Sequence, residues 1–347
     1  MILRRYLLGA SFALFLITLQ PLSLSAQSQN TSLVVGKRYA IIIGGPGGEE
    51  KFTGKYFSQT QRLFTILTDS LKYKRSNIVY LFESQAYDSL TIDGVSNAAN
   101  IRMHVERLGK KMKSEDQFLF CLIGHGSYDG QWGKFNLVGP DLKDLDYAQL
   151  LQRLPARNII FVNTASASGS FIDQLSKKQR IVITATKNGL QNFETNFADF
   201  FIASLANEAA DFNKDGRISI KESFQFARSS QDQWFSEQKR IRAEHPLLDD
   251  NGDGKGSQQI GKQGDGLLAE QTYLGPLSSE LEETLHRVQI GAASATDSLL
   301  LRKLHLEEKI EKLKANRENM DAEEYAKTFE RLVIELATTN RKRKETQ

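Results

Sequence analysis

Between Tyr39 and about Ala227 the chain alternates short β-rich apolar runs with stretches of helical period, and this alternation limits the fold more than any other feature. The runs are Tyr39–Ile43, Asn77–Phe82, Gln117–Ile123, Asn158–Val162 and Arg180–Thr184. Each is nearly continuous in apolar residues, as a strand covered on both faces requires. Helical spacing predicts helices near Ser58–Leu71, Ala98–Met112, Asp146–Leu154 and Phe171–Leu175, then over Asn196–Ala210 and Lys221–Phe235. This order predicts an α/β domain with a mostly parallel sheet flanked by helices. Such sheets take ligands outside the carboxyl ends of their strands, so the residues just after each run carry the functional argument.

A chain of 347 residues, 40% hydrophobic and 25% charged, has ample material for a core, which excludes a disordered chain or a disulfide-stapled miniprotein. Its start reads as an export signal over residues 1–26. Arg4 and Arg5 precede an apolar run from Leu7 to Leu19, then Pro21 and Ser23-Leu24-Ser25-Ala26. Cleavage after Ser25 and cleavage after Ala26 both fit. The run is shorter than the roughly 20 residues a membrane span needs, and no second run of that length follows. The mature chain is therefore expected to be soluble, with no membrane span after cleavage, and exported to the periplasm or the extracellular space. Arg4 and Arg5 leave with the signal, so the formal charge falls from +3 to +1. The tail Arg341–Gln347 is itself strongly basic, which leaves the body slightly acidic. No basic stripe crosses the fold, so a nucleic-acid partner is not expected. The single cysteine, Cys121, lies inside an apolar run and reads as core filler, not as a nucleophile.

The mature chain divides into an α/β domain over residues 27–240, a Gly/Asp-rich segment over 241–277 and a C-terminal part over 278–347. In the last part Leu299, Leu306, Ile310 and Leu313 share one helix face, as do Tyr325, Phe329, Leu332 and Leu336, with Asn316–Asp321 between them. The spacing predicts an antiparallel α-helical hairpin with a coiled-coil-like seam, which either packs on the domain or receives a protein partner.

Two loops follow apolar blocks at adjacent expected strand ends. Gly124-His125-Gly126-Ser127 follows the third, and Thr164-Ala165-Ser166-Ala167-Ser168-Gly169-Ser170 follows the fourth. His125 with Ser166 forms a candidate base–nucleophile dyad. The small neighbours let the backbone N–H groups of Gly126 and Ser166 approach a substrate oxygen as an oxyanion hole. A plain turn and a plain small-residue loop are the alternative reading of the same residues.

The two blocks resemble those of the legumain-like cysteine peptidases of the caspase-like fold group. There the catalytic histidine sits in an apolar-block–His-Gly-Ser motif, matched here by Phe118–Ser127. The nucleophile sits in an apolar-block–Glu-Ala-Cys-Glu-Ser-Gly-Ser motif, matched by Phe161–Ser170, and Val182–Thr186 resembles the next family strand, whose end helps shape the specificity pocket. The likeness spans about Tyr39 to Ala206. It implies a caspase/legumain-like fold, catalytic roles for His125, Gly126 and position 166, and a peptide or protein ligand in the cleft. The chain departs where it matters: Ser166 stands in place of cysteine, and Thr164 and Ala167 replace the flanking acids. A thiol is a few per cent thiolate at neutral pH, whereas a hydroxyl needs a base within hydrogen-bonding reach. The expectation is a pseudopeptidase, weak or inactive; the alternative is a hydrolase using a Ser166/His125 dyad on peptide or ester bonds.

Asp211–Glu222 fits the EF-hand calcium loop at every diagnostic position. Ca²⁺ ligands would be Asp211, Asn213, Asp215, the Arg217 carbonyl, Ser219 and Glu222, with Gly216 at the sharp turn and helices expected on both sides. The lack of a paired loop predicts a structural clamp. Asp249, Asn251 and Asp253 offer a second oxygen cluster, but Ile260 stands where a closing glutamate would, and an Asx-rich turn reads it equally well. Gly44–Gly48 lacks the Lys-Ser/Thr of a phosphate-binding loop and is expected to be flexible. His104, His245, His286 and His305 lack partners at ligand spacing and are assigned no metal.

Overall fold

The structure, a computed structural model, describes residues 36–156, 158–261, 264–276, 279–315, 317 and 320–346. The expected export signal over 1–26 lies outside the described residues. Five central strands form where apolar runs announce them: β1 Arg38–Gly44, β2 Ile78–Phe82, β4 Gln117–Ile123, β8 Asn158–Asn163 and β9 Arg180–Thr184. Short additions are β3 Gly94–Val95 and β10 Leu247–Asp249, which complete a seven-stranded sheet of order β10-β9-β8-β4-β1-β2-β3. All neighbours pair in parallel except β10, which runs antiparallel to β9.

Alternate residues of each strand enter different cores. On one face Ile42, Cys121, Val162 and Ile183 pack with α1 Glu50–Thr65, α5 Phe197–Ser204 and α6 Ile220–Glu237 through Leu63, Phe201 and Phe224. On the other, Ile41, Phe120, Phe161 and Val182 meet α2 Ala98–Gly109 and α3 Asp144–Gln152 through Leu108 and Tyr147. Burial on both faces is why the runs are continuously apolar. Cys121 is buried, and burial pushes its thiol up to about 12, so it stays protonated core.

Helix α1 begins at Glu50, not near Ser58. Its buried face includes Thr53, Tyr56, Gln59 and Thr60, polar residues that hide the apolar stripe. Thr60 earns its burial by bonding the Tyr80 hydroxyl at 2.6 Å. The expected helix over Asn196–Ala210 stops at Ser204, because the Asn207 side chain accepts from the Ala209 N–H and turns the chain into a separate 3-10 turn. The Gly44–Gly48 stretch is not a loose loop: the Gly45 N–H donates to the Ile123 carbonyl and α1 starts two residues beyond Gly48.

A second, three-stranded antiparallel sheet of β5 Gly126–Tyr128, β6 Gly133–Phe135 and β7 Leu142–Lys143 follows β4. Its strands are too short to show a period in the sequence. The Gly/Asp-rich segment holds β10 and the one-turn α7 Leu267–Glu270. The C-terminal part contains α8 Ser279–Gln289, which no period announced, α9 Ala295–Ala315 and α10 Ala322–Thr346. Leu306, Ile310, Leu313 and Leu332 are buried together with Tyr325, Phe329 and Leu336 against them. Nearer the start of α9 it is Leu300, rather than Leu299, that is buried, and it packs with Leu281 and Leu285 of α8. Ion pairs Arg302–Glu335 and Arg343–Glu280, both 2.6 Å, tie these helices crosswise. Among the described residues no helix is long and apolar enough to cross a membrane.

Candidate functional site

The loops after β4 and β8 do meet at the carboxyl end of the sheet. His125 follows β4, and its ring is half-buried against Phe52 and Tyr56 of α1, with centroids 4.9 and 5.2 Å away at near-perpendicular angles. His125 Nδ1 lies 3.1 Å from the Tyr56 hydroxyl and 3.3 Å from Glu194 Oε2. The Tyr56 O–H donates to the same carboxylate oxygen at 2.6 Å. Burial first, and Glu194 second, hold the Tyr56 phenol far above its ordinary value, so it remains a donor. Lys55 Nζ closes the array, donating to Glu194 Oε1 and the Thr195 carbonyl, both at 2.8 Å, and to Asn196 Oδ1 at 3.3 Å. With a carboxylate and a phenol oxygen at Nδ1, the arrangement favours the tautomer with its hydrogen there, which leaves Nε2 as the acceptor nitrogen of the neutral ring.

Ser166 is buried beside this array but is not joined to it. Its hydroxyl donates to the Gly126 carbonyl at 2.9 Å and accepts from the Gly126 N–H at 3.1 Å. Among the described residues no hydrogen bond links Ser166 to His125. The expected oxyanion donor, Gly126 N–H, is therefore turned onto the serine oxygen. Glycine is required at 126 for packing: a Cβ there would stand 2.5 Å from the Ser166 carbonyl oxygen. In this arrangement the serine proton is held by a carbonyl and not by the imidazole, and the hydroxyl ties the loop after β8 to β5.

The rest of the small-residue loop is also structural. Ala167 adopts a left-handed conformation (φ 57°) and its N–H donates to the Gln191 carbonyl at 2.8 Å. Ser168 Oγ accepts from the N–H groups of Ala185 (3.0 Å) and Thr186 (3.2 Å), and Gly169 N–H donates to Thr186 Oγ1 at 2.9 Å. These contacts seal the end of β9. The small side chains of this loop let two backbone segments touch. Ser166→Ala should accordingly lose about 1 kcal/mol in chemical denaturation, since it strands a donor and an acceptor of Gly126 in a partly buried seam. An unchanged midpoint would show that the hydroxyl holds nothing.

Behind the array sits Glu244, only 3% exposed, which accepts from the Asn196 N–H at 2.9 and 3.0 Å and the Phe197 N–H at 3.2 Å. Burial pushes its carboxyl up to about 7, with Glu194 adding to the rise and the backbone N–H groups and Lys55 opposing it. Sequence reasoning missed Lys55, Tyr56, Glu194 and Glu244. Only the position of Glu194 in the loop beyond β9, at the ligand end of the sheet, pointed toward it.

The six expected calcium ligands lie in one loop, closed on itself. Asp211 accepts from the N–H groups of Asp215 and Gly216, at 3.2 and 3.0 Å, and Asp215 Oδ1 accepts from Arg217 N–H at 2.8 Å. Asn213 Oδ1 accepts from Asp215 N–H at 2.9 Å, and its amide donates to Asp215 Oδ2 at 3.0 Å. Glu222 Oε1 accepts from the N–H groups of Phe212 (3.0 Å) and Asn213 (3.2 Å), while Oε2 binds the N–H and hydroxyl of Ser219 as a capping box for α6. The incoming side lacks the expected adjoining helix, since α5 ends at Ser204 and a 3-10 turn over Glu208–Ala210 leads in. Among the described residues no three His, Cys, Asp or Glu side chains are grouped as a ligand set. The Asp249 cluster behaves as Asx turns: Asp249 accepts from Gly252 N–H (3.3 Å), Asn251 from Asp253 N–H (2.8 Å) and Asp253 from Lys255 N–H (2.8 Å).

Comparison with known proteins leaves this geometry without an assigned counterpart. No family model matches the chain, and no curated protein matches it. Among solved structures, the chain is similar to the crystal structure of protein GSU0716 from Geobacter sulfurreducens, at a TM-score of 0.39 and 11% sequence identity, over 61% of this chain and 92% of that one. A likeness of that degree carries no functional argument.

Proposed function

We propose that this chain is an exported, legumain/caspase-like pseudopeptidase: a domain of peptidase descent that uses the strand-end cleft to hold a peptide or protein ligand without cutting it. The observation that carries this reading is the double hydrogen bond of Ser166 to Gly126, which commits the hydroxyl at the nucleophile position to the fold. His125, fixed by Tyr56 and Glu194, then acts as a hydrogen-bonding group in the cleft. A second reading is favoured by one contact. A carboxylate against His125 Nδ1 is the orienting partner that a serine hydrolase gives its base. A fluorophosphonate probe decides between them. Under the first reading the mature protein stays unlabelled at high probe concentration and cleaves no peptide library. Labelling that disappears in Ser166→Ala establishes the hydrolase.

Calcium belongs to the same proposal as a structural ion at Asp211–Glu222. Lys214 (φ 58°) and Gly216 (φ 82°) take the left-handed turns that such a loop needs, and α6 begins where its outgoing helix should. Asp211, Asn213, Asp215 and Glu222 would supply side-chain oxygens, with Glu222 exchanging its backbone partners for the ion. Millimolar Ca²⁺ is expected to raise the melting temperature by several degrees relative to EDTA, and Glu222→Gln to abolish the rise. Superimposable melting curves would remove calcium from the proposal. The crosswise-tied C-terminal helices, read as a hairpin, are the proposed surface for a protein partner.

A further inference from the structure

A cleft of about 500 Å³ lies beside the calcium-type loop, and none of its lining residues belongs to the array around His125. Its walls are largely apolar: Leu71 beyond α1, Leu205 beyond α5, Ile220 at the start of α6, and Leu274 and Pro276. Among the polar residues that break them, two carry buried atoms without a partner. Arg217 lays its guanidinium over the Tyr273 ring at 3.7 Å, and its Nε is buried without a hydrogen-bond partner. Ser223, 1% exposed on α6, has a buried hydroxyl that is also without a partner. Among the described residues no carboxylate forms an ion pair with Arg217.

Native structures satisfy buried polar groups, so two orphans on the wall of one apolar cleft indicate a missing acceptor. That acceptor should be anionic. Arg38 donates to the carbonyls of Leu71 and Leu274, placing a second guanidinium behind the same wall. Of the acids on the cleft, Asp215 is already committed to Arg217 N–H, Asn213 and the Tyr273 hydroxyl, and Glu208 is exposed to solvent. We infer that this cleft binds a small organic monocarboxylate with a linear apolar body. The carboxylate accepts from the Arg217 fork and the Ser223 hydroxyl, and the chain lies against Leu71, Leu205, Leu274 and Pro276. This site is independent of the proposed role of the strand-end cleft.

Calorimetry on the full mature chain with octanoate and 1-octanol tests it, because the two ligands share a body and differ in the head group. Octanoate is expected to bind at least about tenfold more tightly than 1-octanol, as a charge-assisted bidentate contact requires. Arg217→Gln should erase that difference, Arg217→Lys should keep part of it, and Ser223→Ala should weaken octanoate roughly threefold or more. The comparison of ligands on the unaltered protein stands even if a variant folds poorly. Equal affinity for the two ligands overturns the inference. So does absence of octanoate binding at millimolar concentration, which would leave water as the partner of both groups. A preference for short peptides with a free carboxyl terminus over octanoate would also overturn it, in favour of a peptide site.

Discussion

Gly169→Ala is expected to destabilise the protein by about 3 kcal/mol or more, a fall of roughly 6 to 12 °C in melting temperature. A Cβ at this position would lie 2.3 Å from Asn188 N, 2.3 Å from the Lys187 carbonyl carbon and 2.4 Å from the Thr186 oxygen, all of them backbone atoms. None can swing aside as a side chain would. Relief requires the loop after β8 to part from the end of β9, which breaks the bonds from Ser168 and Gly169 to residues 185 and 186. Gly216→Ala is the control. It has open space around a Cβ but a φ of 82°, so it should lose only about 1 kcal/mol of conformational energy. Differential calorimetry on both variants checks the ordering, and a smaller loss for Gly169→Ala than for Gly216→Ala would sink it.

The second large effect is in pH. A carboxyl that folding raises from 4.5 to about 7 binds its proton more tightly in the native state than in the unfolded chain. Between those values the native state holds more protons, so stability falls as pH rises through the window. The Glu244 contribution is fully present below pH 4.5 and lost above pH 7, about 3 kcal/mol in all. Glu244→Gln, uncharged throughout, should flatten this limb and leave the variant more stable than the parent at pH 8. Denaturant unfolding at pH 5 and pH 8 measures it; a parent that gains stability across that interval, by an amount the variant does not share, would contradict the assignment.

How far the sequence carries depends on what kind of information each feature uses. Strands such as Phe118–Ile123 were legible because burial on both faces demands an unbroken apolar run, and their order at once gave the ligand end of the sheet. The first half of α1 was not, because it buries Thr53 and Tyr56, whose hydroxyls are satisfied by the distant carboxylates of Glu83 and Glu194. The pairing of His125 with Glu194 was likewise out of reach, since it joins a strand end to a loop without period. Ser166 shows the deeper limit. Its place in the loop was evident, but whether a hydroxyl points at an imidazole or at a neighbouring carbonyl is a matter of one rotamer, on which residue spacing is silent.

The lengths of the outermost strands have a consequence of their own. The large sheet stops at two residues of β3 on one margin and three of β10 on the other, the latter running against the direction of its neighbour. Among the described residues neither rim offers more than a rung or two for a foreign chain to zip onto, which disfavours growth of this sheet into fibrils or strand-swapped assemblies.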